Sequence, residues 1–479
     1  MKNKFIRILP IAIIGVALLS GCATLNATES FSAFDESSLV ANGLMADSTT
    51  DEKKSEDNAE KTYDDYFSDR DISGEIDSYN AVEITFDEQS ISANSDGVTV
   101  EGSTVTITKE GTYIISGTLS DGNIVVNTSK EDKVQLVLDG VSITSKTFAP
   151  IYVVQADKVF VTLKEGTTST LTNGGSFIQI DDNNVDAVIY SKDDITLNGT
   201  GKLNISSPAG KGITGKDEVT ITDGTYEIMS SDTAIRANDS VAIADGTFTI
   251  ITDNDGIHAE KSDDDSLGEI YISGGSFIIK AKDDGIHGTT TLVIDGGTYD
   301  ITAAEGLEST VVTINDGKIS IEASDDGINA AKKSSLYSPK VEINGGNITI
   351  VMGAGDTDGV DANGDIIING GTINVTGGST FDYDGEGIIN GGTVISNGEE
   401  ITTLPNQMMG GREGMKRQKD GMDGKEGDMK KPFDGMKEPF DGMEEPNTGM
   451  REHKDGMRRP KDEINGQEEG KGLGNNKDI

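Results

Sequence analysis

The chain has 479 residues, 83 of them Asp or Glu against 40 Lys or Arg, for a formal net charge of −43. Only 34% is hydrophobic, with 60 Gly and no Trp, which argues against one compact core and suits an elongated body around a thin buried column. So acidic a chain repels phosphate backbones and anionic membrane surfaces, so no nucleic-acid partner is expected; divalent cations and cation-bridged ligands remain.

Met1–Arg7 is basic, Ile8–Leu19 is a nearly unbroken apolar run, and Leu19-Ser-Gly-Cys22 follows. About 12 apolar residues are too few to span a bilayer, which takes about 20, but they fit the core of a signal peptide. The expectation is a signal peptide over 1–21. Leu-Ser-Gly-Cys resembles the bacterial lipobox, whose cysteine is lipidated. That implies an exported protein on the outer cell surface, touching the membrane only through a lipid at Cys22. An uncleaved anchor helix and a free thiol are the competing readings. Cys22 is the single cysteine, so intrachain disulfides are excluded. Residues 22–79 are rich in Ser, Thr, Asp, Glu and Asn without periodicity, which predicts a disordered linker.

Less regular strands begin near Val82, including Val105-Thr-Ile-Thr, Val134-Gln-Leu-Val-Leu-Asp-Gly and Val159-Phe-Val-Thr-Leu. A repeat then sets in: Ile221-Thr-Asp-Gly, Ile243-Ala-Asp-Gly, Ile272-Ser-Gly-Gly, Ile294-Asp-Gly-Gly, Ile314-Asn-Asp-Gly, Ile343-Asn-Gly-Gly, Ile368-Asn-Gly-Gly and Ile389-Asn-Gly-Gly. The isoleucines are separated by 22, 29, 22, 20, 29, 25 and 21 residues. A base period near 21 with insertions marks a solenoid, in which each repeat buries its apolar face against its neighbours. Apolar residues alternate at period 2, which rules out helical rungs. Three short strands per rung predict an all-β parallel β-helix over 80–404, with glycines supplying positive φ at the turns.

A second alignment follows the small-aliphatic step: Asp186-Ala-Val, Lys211-Gly-Ile, Thr233-Ala-Ile, Asp255-Gly-Ile, Asp284-Gly-Ile, Glu305-Gly-Leu, Asp326-Gly-Ile, Asp358-Gly-Val and Glu386-Gly-Ile. Stacked this way, Asp255, Asp284, Glu305, Asp326 and Asp358 form a row at one corner. Asp253, Asp283, Asp325 and Asp356 precede them, and Glu308 and Asp361 lie three positions on. Rungs about 4.8 Å apart bring carboxylates close enough to repel by roughly 3 kcal/mol per pair at an effective dielectric of about 20. Cations relieve such a row, and several hard oxygens from successive rungs suit Ca²⁺. These eleven acids are the candidate metal ligands; a solvated acidic edge that deters aggregation is the competing reading. No EF-hand frame occurs.

His258 and His287 hold equivalent places on adjacent rungs. They are candidate ligand contacts, with surface-ladder residues preferred over a metal site because no third nitrogen or sulfur is evident. Insertions after Ala259 and after Ala330 leave from the same wall, where a solenoid puts ligand contacts. Lys280, Lys282 and Arg236 are further candidate contacts, and the bases that a calcium-dependent lyase would need. No basic pair brackets the acids, so the expectation is a binding protein without catalytic residues. A pectate-type lyase and a structural adhesin stapled by calcium are the alternatives.

From residue 405 the chain is nearly charge-balanced, and Met408, Met415, Met422, Met429, Met436, Met443, Met450 and Met457 recur every seven residues. One apolar residue per heptad, with Gly and Pro interspersed, is not a coiled coil. The expectation for 405–479 is a disordered low-complexity tail; Cu(I) binding by the thioethers is the sharper alternative.

Leu136-Val-Leu-Asp-Gly-Val, Ala149-Pro-Ile-Tyr-Val, the Ile-x-Gly-Gly turns and the Asp-Asp-Gly-Ile-His and Asp-Asp-Gly-Ile-Asn corners resemble the bacterial carbohydrate-binding-domain-containing β-helix lipoproteins, similar in fold to pectate lyases. The resemblance covers roughly 82–398, and the lipobox and Met-Gly tail are typical of the group. It implies a right-handed parallel β-helix holding several calcium ions, and binding of acidic plant-type polysaccharide (polygalacturonate, pectin), with cellulose as a further ligand. The lack of Trp fits an acidic glycan reached through calcium rather than a neutral sugar on an aromatic platform. A monomer is expected.

Overall fold

In the computed structural model, residues 61–405 are described, apart from 89, 94, 355 and 356. The expected signal peptide, Cys22, Asp356 and the Met-rich tail lie outside the described residues. No helix among the described residues is long and apolar enough to cross a membrane.

The described chain is all-β, and almost every strand pairs in parallel with the strand one repeat further on. It forms a β-helix-like solenoid with three walls. The first wall contains Glu218–Ile221, Ser240–Ile243 and Glu269–Ile272, and the second Thr225–Ser230, Thr247–Thr252 and Ser276–Lys280. These two belong to one 26-stranded sheet, joined by the long strand Gly111–Leu119, whose first half pairs with Lys133–Leu138 and whose end pairs with Ser142–Ser145. The third wall is a separate 13-stranded sheet of short strands such as Ile257–Ala259 and Ile286–Gly288. Antiparallel pairings occur at the ends, in Val82–Glu88 with Ser90–Ala93 and Thr393–Ser396 with Glu399–Ile401.

The Ile-x-Gly-Gly alignment is the actual register. Ile221, Ile243, Ile272, Ile294, Ile314, Ile343, Ile368 and Ile389 stack in one column. All but Ile389 are fully buried. Alternation turns every second residue inward, so stacked rungs build a continuous apolar core from short strands. Tyr226, Phe248, Phe277 and Tyr299 stack along the second wall with centroids 4.7–5.0 Å apart, and Tyr226 and Tyr299 each donate their hydroxyl to a turn carbonyl. At the turns, Gly275 (φ 109°) and Gly297 (φ 103°) adopt backbone angles that favour glycine. Asn315, Asn344, Asn369 and Asn390 form a side-chain amide ladder with 2.8 Å hydrogen bonds.

Three expectations need correction. The linker assigned to 22–79 is structured from Lys61 on: Tyr63–Tyr66 and Asp69–Ile72 are short helices lying across the first wall. Tyr66 stacks on Tyr271 at 4.0 Å, and Asp71 bonds Lys158 (2.8 Å) and Thr196 (2.6 Å). This segment has too few apolar residues to show a period, and its docking is built from single contacts spread along it, among them the buried Phe67, the Tyr66–Tyr271 pair and the Asp71 carboxylate. Second, the Asp186/Lys211 alignment is off by one, because Ile189 stands opposite Ile213 and Ala187 opposite Lys211. The long excursion before Asp186 hides that step. Third, Glu386-Gly-Ile belongs to the first wall, with Gly387 opposite Ile366. The rung after Asp358 keeps the 21-residue repeat, so Ser379 follows it in the column.

Candidate functional site

The third wall carries the acids. Ile257, Ile286, Leu307, Ile328 and Val360 are in register, which places Asp255, Asp284, Glu305, Asp326 and Asp358 at one corner, two residues upstream. Each following glycine is there for space rather than for positive φ. A Cβ on Gly285 would sit 2.5 Å from the Gly306 carbonyl oxygen and 2.6 Å from Ile301 Cγ2, and one on Gly306 would meet Gly327 in the same way. The rungs therefore close tightly where the carboxylates stack. Backbone amides soften the crowding: Asp284 N–H donates to Asp255 Oδ1 (3.2 Å), and Asp358 N–H to Asp326 Oδ1 (3.1 Å).

Three residues on, the outward row reads Arg236, His258, His287, Glu308, Asn329, Asp361 and Asp382. The two imidazoles stack face to face, with centroids 4.3 Å apart and planes at 10°. Both lie against the acids rather than on the open surface. His258 Nδ1 lies 2.5 Å from Asp255 Oδ2, and His287 Nδ1 is 2.8 Å from Asp284 Oδ2 and 3.3 Å from Glu308 Oε2. Asn329 donates to Glu305 (3.0 Å) and Glu308 (3.3 Å). Ligand atoms of Asp255, His258 and His287 lie within 4.8 Å of one another, as do those of Asp284, His287 and Glu308, and those of Asp255, Asp283 and Asp284.

Proton affinities reflect the crowding. Burial, reinforced by Glu305, Asp255 and Asp283, raises Asp284 to about 7. Burial and Glu308 raise Glu305 to about 7. Asp361 reaches about 7 through burial and then Asp326, Asp358 and Asp382. Asp326 reaches about 6 through burial and its acidic neighbours, against the Asp358 amide. Asp255 runs the other way: burial would raise it, but the His258 hydrogen bond and charge pull it down. Burial lowers His287 toward the neutral imidazole.

Of the remaining candidates, Asp253 is exposed and paired with Lys282 at 2.6 Å, at the corner before the column. Asp325 is exposed beside Asp326. Lys280 sits on the second wall, opposite Ile251 and Thr302, and does not join the acids. Arg236 continues the histidine row and meets Glu260. The two insertions brace one another through Ser335 N–H and Asp265 (2.9 Å). The second supplies a contact the composition hid, Lys333 Nζ at 2.8 Å from Glu308 Oε2.

Buried side-chain oxygens without hydrogen-bond partners gather on this wall. Asn329 Oδ1, Thr357 Oγ1 and Ser379 Oγ belong to the rungs of the Asp326, Asp358 and Asp361 end, since Asn329 stands opposite Asp361 and Ser379 opposite Asp358. Their donor set is all oxygen. The opposite end, from Asp255 to Glu308, mixes imidazole nitrogen with carboxylate. On the first wall, a separate groove of about 700 Å³ runs past Tyr271, Asp295, Asn315 and Tyr337. Its tyrosine face is already taken by Tyr66.

Fold and site together define a parallel-β repeat protein with one acidic wall. The chain belongs to the family of carbohydrate-binding domain-containing proteins, which matches over residues 101–353 and 305–425. A carbohydrate-binding domain-containing protein of Acetivibrio thermocellus is 42% identical over 215 residues, 44% of this chain and 75% of that protein. A solved structure, a gadolinium derivative of the polysaccharide lyase-like protein from C. thermocellum, is 36% identical. It covers 47% of this chain and 91% of its own, with a TM-score of 0.46.

Proposed function

We propose that the third wall holds calcium and through it binds an acidic polysaccharide, with polygalacturonate or pectin as the reading and cellulose as a further ligand. The observation that carries this is the oxygen-only end. Asp326, Asp358 and Asp361 stack in register beside the unpartnered Asn329 Oδ1, Thr357 Oγ1 and Ser379 Oγ. Calcium takes 6–8 oxygens at about 2.3–2.6 Å in flexible geometry, and these residues supply that chemistry. The raised carboxyls fit the same reading, because a bound dication would return them to the ionised form. An anionic glycan would otherwise meet a strongly repelling surface. A cation shared between its carboxylates and the wall reverses the sign of that interaction. Family membership supports the carbohydrate, and the right-handed winding usual for parallel connections fits a solenoid of this kind.

The protein is read as non-catalytic. Lys282 is engaged by Asp253, Lys280 lies on another wall, and Lys333 is held protonated: burial opposes its charge, but Glu308 outweighs it and raises its pKa. A lyase base must give up its proton near neutral pH. Export and anchoring through Cys22 at the cell surface belong to the same proposal.

Affinity electrophoresis of the protein through gels with polygalacturonate, in calcium and in EDTA, tests this, with absorbance followed at 235 nm. Retardation only with calcium and no absorbance is expected. Rising absorbance makes the protein a lyase. A calcium-dependent melting temperature without retardation reduces the ion to a structural staple.

A further inference from the structure

The imidazole end of the wall differs in kind from the oxygen end. Each histidine is oriented by a carboxylate at Nδ1, His258 by Asp255 at 2.5 Å and His287 by Asp284 at 2.8 Å. A carboxylate on Nδ1 fixes the tautomer that turns the Nε2 lone pair outward, the arrangement usual for metal-binding histidines. Two such dyads sit one rung apart with parallel rings. His258 is only 8% exposed, and its Nε2 is buried with no hydrogen-bond partner. A buried acceptor left unmade costs about 1–3 kcal/mol, so the sequence tolerates a penalty here that a ligand would remove.

Glu260 Oε2 lies 3.5 Å from that nitrogen. That is long for a hydrogen bond. Two ligand atoms each about 2.1 Å from one tetrahedral ion stand roughly 3.4 Å apart, so the spacing is that of two donors on a shared metal. Arg236 Nη2, 3.3 Å from the Glu260 carbonyl, steadies the residue from the preceding rung. Next to it, Glu260, Asp263, Asp264, Asp265, Thr289 and Lys333 line a cavity of about 410 Å³, an approach for an ion and its water.

We propose that His258 and His287, with Glu260 closing over them, form a site for a borderline divalent transition cation, Zn²⁺ being the fitting probe. Asp255 and Asp284 act as positioning residues behind the two rings. Calcium is a poor occupant, because it takes hard oxygens and leaves imidazole nitrogen to softer ions. The site is independent of any glycan and lies apart from the Asp326–Asp361 end.

Calorimetric titration of the full chain with Zn²⁺, in buffer already saturated with Ca²⁺, tests this. One zinc per chain is expected, binding at least tenfold more weakly in His258→Ala and in His287→Ala, and several-fold more weakly in Glu260→Gln. Asp361→Asn is expected to weaken calcium binding and leave zinc unchanged. Unaltered affinity in both histidine variants would place the zinc elsewhere, and competitive displacement by calcium would reduce the site to a generic acidic edge. Either overturns the proposal. Wild-type protein loaded with Co²⁺ provides a readout that needs no variant: intense visible bands signify tetrahedral nitrogen-containing coordination, and weak octahedral bands refute it. Polygalacturonate retention in calcium is a separate readout, so failure of either reading leaves the other standing.

Discussion

Replacing Asp284 by Asn in the metal-free protein should stabilise it at pH 8 and do little at pH 5. Asp284 is buried among Glu305, Asp255 and Asp283, and its folded pKa is about 7. Unfolded, the same carboxyl titrates near 3.9, a gap of about 3 units at about 1.4 kcal/mol each. With a folded pKa above the unfolded one, stability is fully present below about pH 4 and is lost as pH rises to 7. Above pH 7 the whole ionisation cost, at most about 4 kcal/mol, weighs on the fold. Asn removes that cost but offers His287 Nδ1 a neutral amide oxygen in place of a charged carboxylate, a loss of about 1–2 kcal/mol. The net expectation in EDTA at pH 8 is a gain of about 2–3 kcal/mol, a rise of roughly 3–4 °C in melting temperature for a body this size. At pH 5 the unfolded carboxyl is already ionised, so about 1.5 kcal/mol of that cost is present and offsets the weakened hydrogen bond, and the variant should melt close to wild type. Scanning calorimetry at both pH values reads the difference directly. Equal destabilisation at pH 5 and pH 8 would refute the argument, since Asp284 would then be no costlier ionised than neutral.

Three further outcomes follow from the packing. Gly306→Ala should cost at least about 3 kcal/mol in urea unfolding, because its Cβ would lie 2.4 Å from the Gly327 carbonyl and 2.6 Å from Ile321 Cγ2. Asp71→Ala removes the partner of Lys158 and Thr196; it should cost about 3 kcal/mol locally and expose 61–77 to limited proteolysis while the rungs stay intact. Asn344→Ala breaks the amide ladder at two bonds and should lower stability by about 1–2 kcal/mol, with the solenoid's circular dichroism unchanged.

The repeat was legible because one physical rule, inward isoleucine before a glycine turn, recurs on rung after rung. The Ile221-to-Ile389 column could therefore be written down residue by residue. The acid row from Asp255 to Asp358 was legible for the same reason. The histidines were visible as a pair, but not their coupling to Asp255 and Asp284. The signal was present in Asp-Gly-Ile-His: a carboxylate and an imidazole three residues apart, brought together by the corner between them. Register failed where the repeat was interrupted, at the excursion before Asp186 and at the last rungs, where Glu386 imitates the motif on a different wall. The docked segment from Lys61 escaped notice because Tyr66 and Asp71 act singly, each against a partner far away in sequence.

That segment also decides where the body takes a mechanical load. Between Lys61 and Glu75 the chain runs backward along the solenoid, touching Glu269 and Tyr271 first, then Thr196 and Asn198, then Gln135. A pull on the residues before Lys61 therefore enters the side of the coil at its middle rungs, not its terminal one. Such a force would first peel the Tyr66–Tyr271 stack and then the Asp71 clasp, two short steps that lengthen the chain while every rung, and the acidic wall with it, stays wound.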